Sequence, residues 1–214
     1  MGGYLGLLTV YVVQLFIIVD PLAGIPIFLA ITPNKSKAER RTTARRSCLI
    51  AFLVIVFFLL VGPYLLDYFG IKTAAVRICG GFLLFLIALE LLHGRSTSTG
   101  TTSREERLAE EKEDVSVTPL AIPLLAGPGA IATTLIFAGR AVNVWSILVL
   151  CEGAAIVFAL TYLFFYWADE LGRMVGALGM RIVTRIAGLL LAFISAQYVI
   201  DGALSLVSGD LPFR

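Results

Sequence analysis

Two stretches decide how this chain folds: Val19-Asp20-Pro21-Leu22-Ala23-Gly24-Ile25-Pro26 and Pro119-Leu120-Ala121-Ile122-Pro123-Leu124-Leu125-Ala126-Gly127-Pro128-Gly129-Ala130. Each sits inside a long apolar run, and each combines proline with glycine, a strong signal for interrupting a helix. Proline removes one backbone hydrogen bond and clashes with the preceding turn. In lipid the freed amides and carbonyls cannot turn to water. Such breaks survive only where protein or a wet cavity satisfies them.

The runs around these stretches are of membrane length. A bilayer core needs about 20 apolar residues per helix. Six candidates are present: Tyr4–Pro33, Ser47–Phe69, Thr73–Gly94, Val115–Gly139, Trp145–Trp167 and Ile182–Val207. Over the 214 residues 58% are hydrophobic and 15% charged, with a mean hydropathy of +0.92. Average soluble chains hold about 45–50% apolar and about 25% charged residues. The balance excludes a disordered chain, a disulfide scaffold and an ordinary water-soluble enzyme, and predicts an all-α integral membrane protein. A net charge of +2 gives no argument for a nucleic-acid partner. Cys48, Cys79 and Cys151 all lie in apolar runs and read as packing residues. One histidine, His93, leaves no basis for a histidine-built metal site.

The N-terminal run, Met1–Val19, has no basic n-region and no small-residue cleavage site, so it is expected to stay as part of a span. Orientation follows from lysine and arginine counts. Six lie in the loop after the first span, four in the loop after the third, and three after the fifth with the start of the sixth. Those thirteen of seventeen place the three loops in the cytoplasm, with both termini outside. Asn34-Lys35-Ser36 fits a glycosylation acceptor but falls on the cytoplasmic side of this topology. The stretch 95–114 is Ser/Thr/Gly-rich and then charge-rich, and reads as a solvated linker with a segment at Arg104–Glu111 that fits a short amphipathic helix.

The chain also repeats itself. An offset of 108 pairs Arg77/Arg185, Ile78/Ile186, Gly80/Gly188, Leu83/Leu191, Phe85/Phe193, Ala88/Ala196 and Gly94/Gly202. The second and fifth spans both end in Tyr-x-x-Asp-x-x-Gly: Tyr64, Asp67, Gly70 and Tyr166, Asp169, Gly172. With the two proline breaks, the matches come in one order in both halves. The expected organisation is a three-helix repeat in 1–94, a cytoplasmic linker in 95–114, and a second three-helix repeat in 115–214. Three is odd, so the second copy enters the membrane from the opposite side. A 3+3 inverted-topology repeat of this kind is used by many secondary transporters. Both breaks fall near the middle of their spans, and discontinuous helices at matching midplane positions are the best sequence pointer to a transport site.

The chemistry of the breaks points to a zwitterion. Half-helices starting at Pro21 and Pro128 aim free amides and a positive dipole end at the break, which favours a carboxylate. Carbonyls freed before each break favour an ammonium group. Asp20 is a carboxylate at the bilayer centre, where insertion costs about 2.5–3.5 kcal/mol. It reads as a partner for a substrate amine, as a proton carrier, or as the N-cap of the half-helix that follows. The expected substrate-binding residues are Asp20, Pro21, Ala23, Gly24, Gly127, Pro128, Gly129, Ala130 and Thr133, with Asp20 and Glu152 as proton-coupling candidates. Glu90 and Asp201 read as interfacial, and Arg77 and Arg185 as structural anchors. Gln14, Thr133, Thr134, Ser195 and Gln197 are polar groups that more often bond a neighbouring helix than a substrate. No nucleotide-binding loop, His-Glu-x-x-His or Cys-x-x-Cys is present. No cofactor or metal is expected, and energy coupling falls to an ion or proton gradient.

The two opening stretches, extended through Ile27-Phe28 and Ile131, resemble the signature segments of the MarC family of integral membrane proteins. Chain length, six spans and the basic first loop fit as well. The family includes SnatA-type carriers of glycine and alanine that are proton-coupled rather than sodium-coupled. The resemblance implies a multi-pass cell-membrane transporter of small neutral amino acids, acting by symport. Two rivals stand beside it: an exporter of amino acids or amphipathic compounds, and a non-transporting membrane scaffold. A membrane-embedded enzyme lacks any identifiable nucleophile-plus-base pair. Substrate range, direction, stoichiometry and oligomeric state are left open by the sequence.

Overall fold

A computed structural model describes residues 2–33, 35–93, 116–141 and 143–207. These residues are helical throughout apart from short turns. The elements are α1 (Gly2–Val19), α2 (Pro21–Ala30), α3 (Lys37–Tyr68), α4 (Thr73–His93), a π-helix (Ser116–Leu125, π1), α5 (Pro128–Ala138), α6 (Val144–Tyr166) and α7 (Ala168–Val207). The linker 95–114 of the sequence reading lies outside the described residues.

Five helical stretches are long and apolar enough to cross a bilayer: Gly3–Ala30, Lys37–Tyr68, Thr73–His93, Val144–Tyr166 and Leu178–Leu206. The expected fourth span, Val115–Gly139, is instead two short pieces, π1 and α5, neither of membrane length. Helix faces explain why lipid is the solvent. On α3, Ala51, Ile55 and Leu59 are buried, while Leu49, Leu53, Phe57 and Leu60 on the opposite face are each at least half exposed. A helix apolar on all sides belongs in a membrane or in the core of a large protein.

Two boundaries differ from the sequence reading. The basic stretch Lys37–Arg46, expected to be loop, is the start of α3. Ser36 caps it in a full capping box with Glu39, and lysine, arginine and alanine are good helix formers. Likewise Ala168–Arg181 is helical and continuous with the last span, except at Gly176. There φ is +64°, a left-handed conformation that favours glycine. Both extensions stand on one side of the bundle. Arg40 binds the Asp169 carboxylate at 2.8 Å and donates to the carbonyls of Thr32 and Pro33, and Lys37 lies 3.7 Å from Glu170.

Helix pairs pack through small residues. Helices α4 and α7 run antiparallel: a Cβ on Gly81 would meet the Ser195 carbonyl at 2.8 Å, one on Gly188 would meet Leu91, and one on Gly202 would meet Ile78. Helix α3 packs on α6, π1 and α5, α1 on α6, α4 on α5, and α2 on α7 and α6. Close approach of backbones at glycine is the usual route to helix association in lipid, where apolar burial adds little.

Candidate functional site: two helix breaks around one cavity

The first break is a single residue wide. Helix α1 ends at Val19, and Asp20 adopts φ 41° and ψ 67°, the one described non-glycine residue in the left-handed region. Aspartate tolerates this conformation because its short side chain bonds locally. Its Oδ1 accepts from the Ala23 amide at 3.2 Å, capping α2, and Pro21 takes the first helical position. Its Oδ2 is buried and has no hydrogen-bond partner among the described residues. Asp20 is therefore an N-cap, as one reading of the sequence holds, with a second oxygen left over.

The second break is built differently. Upstream of it the chain is not α-helical, contrary to the sequence expectation: the Ala126 amide closes onto the Ala121 carbonyl at 2.9 Å, one residue further back than in an α-helix. Pro119 and Pro123 each lack the amide that an α-helical ladder needs, so two successive turns lose a donor. Gly127 then takes extended geometry, φ −75° and ψ 172°, and α5 starts at Pro128. Gly127 offers no side-chain cap, so the first amides of α5 lack the partner that Asp20 gives to α2.

The two breaks line one cavity of about 70 Å³. Its walls are Ile18, Asp20, Ala23, Gly24 and Ile27 from the first broken segment. Leu124, Leu125, Gly127, Pro128, Gly129 and Ala130 come from the second, and Ile87 and Leu91 from α4. Such a space takes several waters or a solute of a handful of heavy atoms. Glycine keeps the second wall thin, since a Cβ on Gly129 would lie 2.8 Å from Leu84 Cδ2 and 3.1 Å from Ile87 Cδ1. Behind the first wall, Phe165 stacks on Phe28 at 4.8 Å and stands 3.1 Å from where a Gly24 Cβ would be.

Seven of the nine expected binding residues thus meet at one cavity. Pro21 and Thr133 are not among its lining residues. Thr133 is fully buried on α5 near the Tyr198 hydroxyl, and its Oγ1 makes no hydrogen bond of normal geometry. Glu152 does not line the cavity either. It is exposed on α6 and accepts a hydrogen bond from the Tyr4 hydroxyl. The other polar groups tie helices together: Tyr198 donates to Gln14, Tyr11 and Thr134 share a hydrogen bond, and Gln197 holds Asp201 beside Arg140. Sequence reasoning missed the apolar wall of Ile18, Ile27, Ile87, Leu91, Leu124 and Leu125. Among so many aliphatic residues, nothing chemical marks these six.

Comparison with known proteins agrees with this architecture. The sequence profile described as "MarC family integral membrane protein" matches residues 5–207. The chain is 37% identical over 217 residues to a UPF0056 membrane protein of Archaeoglobus fulgidus, covering 99% of each chain. It is 34% identical over 188 residues to the UPF0056 membrane protein YvbG of Bacillus subtilis, covering 87% of this chain and 89% of that one. It is 29% identical to the UPF0056 membrane protein YhcE of Escherichia coli, covering 94% of each. No solved structure matches the chain. With a profile match across nearly its whole length and helices that cross the bilayer several times, the chain belongs to the MarC family of multi-pass integral membrane proteins.

Proposed function

We propose that the protein is a secondary transporter for small neutral amino acids of the size of glycine and alanine, working by alternating access around the cavity between its two helix breaks. The observation that carries this reading is the chemical dissymmetry of that cavity. On one wall a buried carboxylate oxygen, Asp20 Oδ2, has no partner among the described residues; on the other a helix N-terminus, at Gly129 and Ala130, has no side-chain cap. A zwitterion supplies what each lacks: its ammonium group bonds Asp20, and its carboxylate takes the amides and positive dipole end of α5. The thin glycine walls and modest volume leave room for a hydrogen or methyl side chain.

The two halves, Met1–Gly94 and Val115–Arg214, act as inverted repeats joined by the linker 95–114. The packing supports this. Exchanging α1/α2 with π1/α5, α3 with α6 and α4 with α7 turns α1–α6 packing into π1–α3 packing, and α2–α7 into α5–α4. The pairs α3–α6 and α4–α7 map onto themselves. Rocking of one half against the other would expose the cavity to each side in turn. Protons are the proposed coupling ion; Asp20, once paired with the ammonium group, is not free to carry one, and Glu152 lies off the cavity. The reading is of a non-enzymatic protein in the cell membrane with both termini outside.

The test is labelled glycine flux in proteoliposomes under an imposed pH gradient. The expected result is saturable flux that follows the gradient, competed by alanine but not by leucine, and lowered about 10- to 100-fold in Asp20→Asn. Absence of saturable glycine flux in either direction, with folded protein in the vesicles, would sink the reading.

A further inference from the structure

A second concavity lies on the outside of the bundle, between α3 and α6. It measures about 230 Å³ and is lined by Arg45, Cys48, Phe52, Phe158, Ala159 and Tyr162, with Leu49 and Ala155 beside them. The two helices run antiparallel here. The Arg41 guanidinium sits 4.0 Å above the Tyr166 ring, and Phe52 meets Phe158 with ring centroids 6.4 Å apart. Ala155 and Ala159 are exposed and one turn apart, so their short side chains leave a trough between larger neighbours. From Arg45 to Phe52 the trough runs roughly 10 Å along α3, at 1.5 Å per residue.

Its two ends differ in charge. Arg45 and Arg46 are the last cations before the charge-free stretch 47–66 of α3, so Arg45 stands where the hydrocarbon gives way to headgroups. Among the described residues Arg45 has no carboxylate or carbonyl partner, whereas Arg40 is held by Asp169. At the opposite end of the same helix pair, the Tyr64/Tyr166 repeat equivalence puts Asn143 and Ile147 where Arg41 and Arg45 stand. Asn143 is used up as the cap of α6. An apolar trough that ends in a cation at headgroup depth has the shape and charge of a phospholipid binding site.

We propose that this groove holds one anionic phospholipid in the arginine-rich leaflet, its phosphate at Arg45 and an acyl chain along Ala155 and Ala159. The proposal does not depend on what the central cavity carries.

The experiment titrates the purified, detergent-solubilised full chain with phosphatidylglycerol or with phosphatidylcholine of the same chains, and counts retained lipid by native mass spectrometry. The expected result is preferential retention of one phosphatidylglycerol. Arg45→Gln should lower that preference about fivefold, the effect of one cation near a membrane surface. Ala159→Trp, which fills the trough from an exposed position, should abolish retention of both lipids. Thermal unfolding of each variant checks that the bundle is intact. Equal retention of the two lipids by the unsubstituted protein would overturn the proposal. So would a preference that survives both substitutions in folded protein.

Discussion

Asp20-Pro21 and Gly127-Pro128 open the two half-helices in the same way, with proline at the first helical position, yet they end the preceding segment by opposite means. At Asp20 the chain turns through a left-handed residue whose carboxylate caps the new helix. At Gly127 it passes from a π-helix through an extended glycine and leaves the new helix uncapped. The same interruption, repeated in both halves, thus carries a negative group on one side and bare amides on the other. A symmetric pair of breaks would offer two like ends and would attract an anion or a cation. The unlike pair suits a molecule bearing both charges.

The comparison breaks most decisively at Asp20. Asp20→Asn keeps a side chain that caps and tolerates the left-handed conformation, so thermal stability should change by less than about 0.5 kcal/mol. Glycine flux should nevertheless fall about 10- to 100-fold, the value of a hydrogen bond to a charged group. Asp20→Val removes cap and tolerance together, and should cost about 2–4 kcal/mol in a denaturation assay. If Asp20→Asn keeps full glycine flux while Asp20→Val still loses stability, Asp20 is a cap and nothing more.

The other wall sharpens the comparison. Gly129→Ala places a methyl 2.8 Å from the buried Leu84 Cδ2 and 3.1 Å from Ile87 Cδ1, so both must give way; Ile87, pushed toward the cavity it lines, should lower the alanine-to-glycine flux ratio about tenfold, the usual worth of one methylene in a tight pocket. At Gly127→Ser the backbone poses no obstacle, since its φ and ψ suit any residue. A serine cap should raise thermal stability by a few tenths of a kcal/mol. It should also weaken apparent glycine affinity several-fold, because the new hydroxyl competes for the amides. Unchanged affinity would move the substrate carboxylate elsewhere. The smallest effect is expected away from the cavity. Tyr198→Phe loses the hydrogen bond to Gln14 between α7 and α1, and should cost about 0.6 kcal/mol in stability while leaving flux intact.

Much of this was legible in the residues. Hydropathy marked all five membrane-length helices among the described residues, because a lipid-facing surface must be apolar, though it also read Val115–Gly139 as a sixth. Proline with glycine marked both breaks, and a carboxylate at the centre of its span marked Asp20. Less legible were the ends of α3 and α7, whose polar extensions look like loop until a capping box and the Arg40–Asp169 pair hold them as helix. The π-helix was equally hidden, since prolines say that an α-helix fails and not what replaces it. Thr133, one turn past the break, faces Tyr198 rather than the cavity. Which way a residue on a broken helix faces depends on how that half-helix is tilted, and no local pattern records it.

The sequence by itself determined the solvent, the helices and the places where they fail, because transfer to lipid and the loss of a proline amide are properties of single residues and short runs. Only the tertiary structure decided that the two failures meet at one cavity, that Ile87 and Leu91 of a third helix close it, and that one carboxylate oxygen there has no partner among the described residues. Those outcomes depend on distances between segments more than a hundred residues apart, and such distances are set by how whole helices pack.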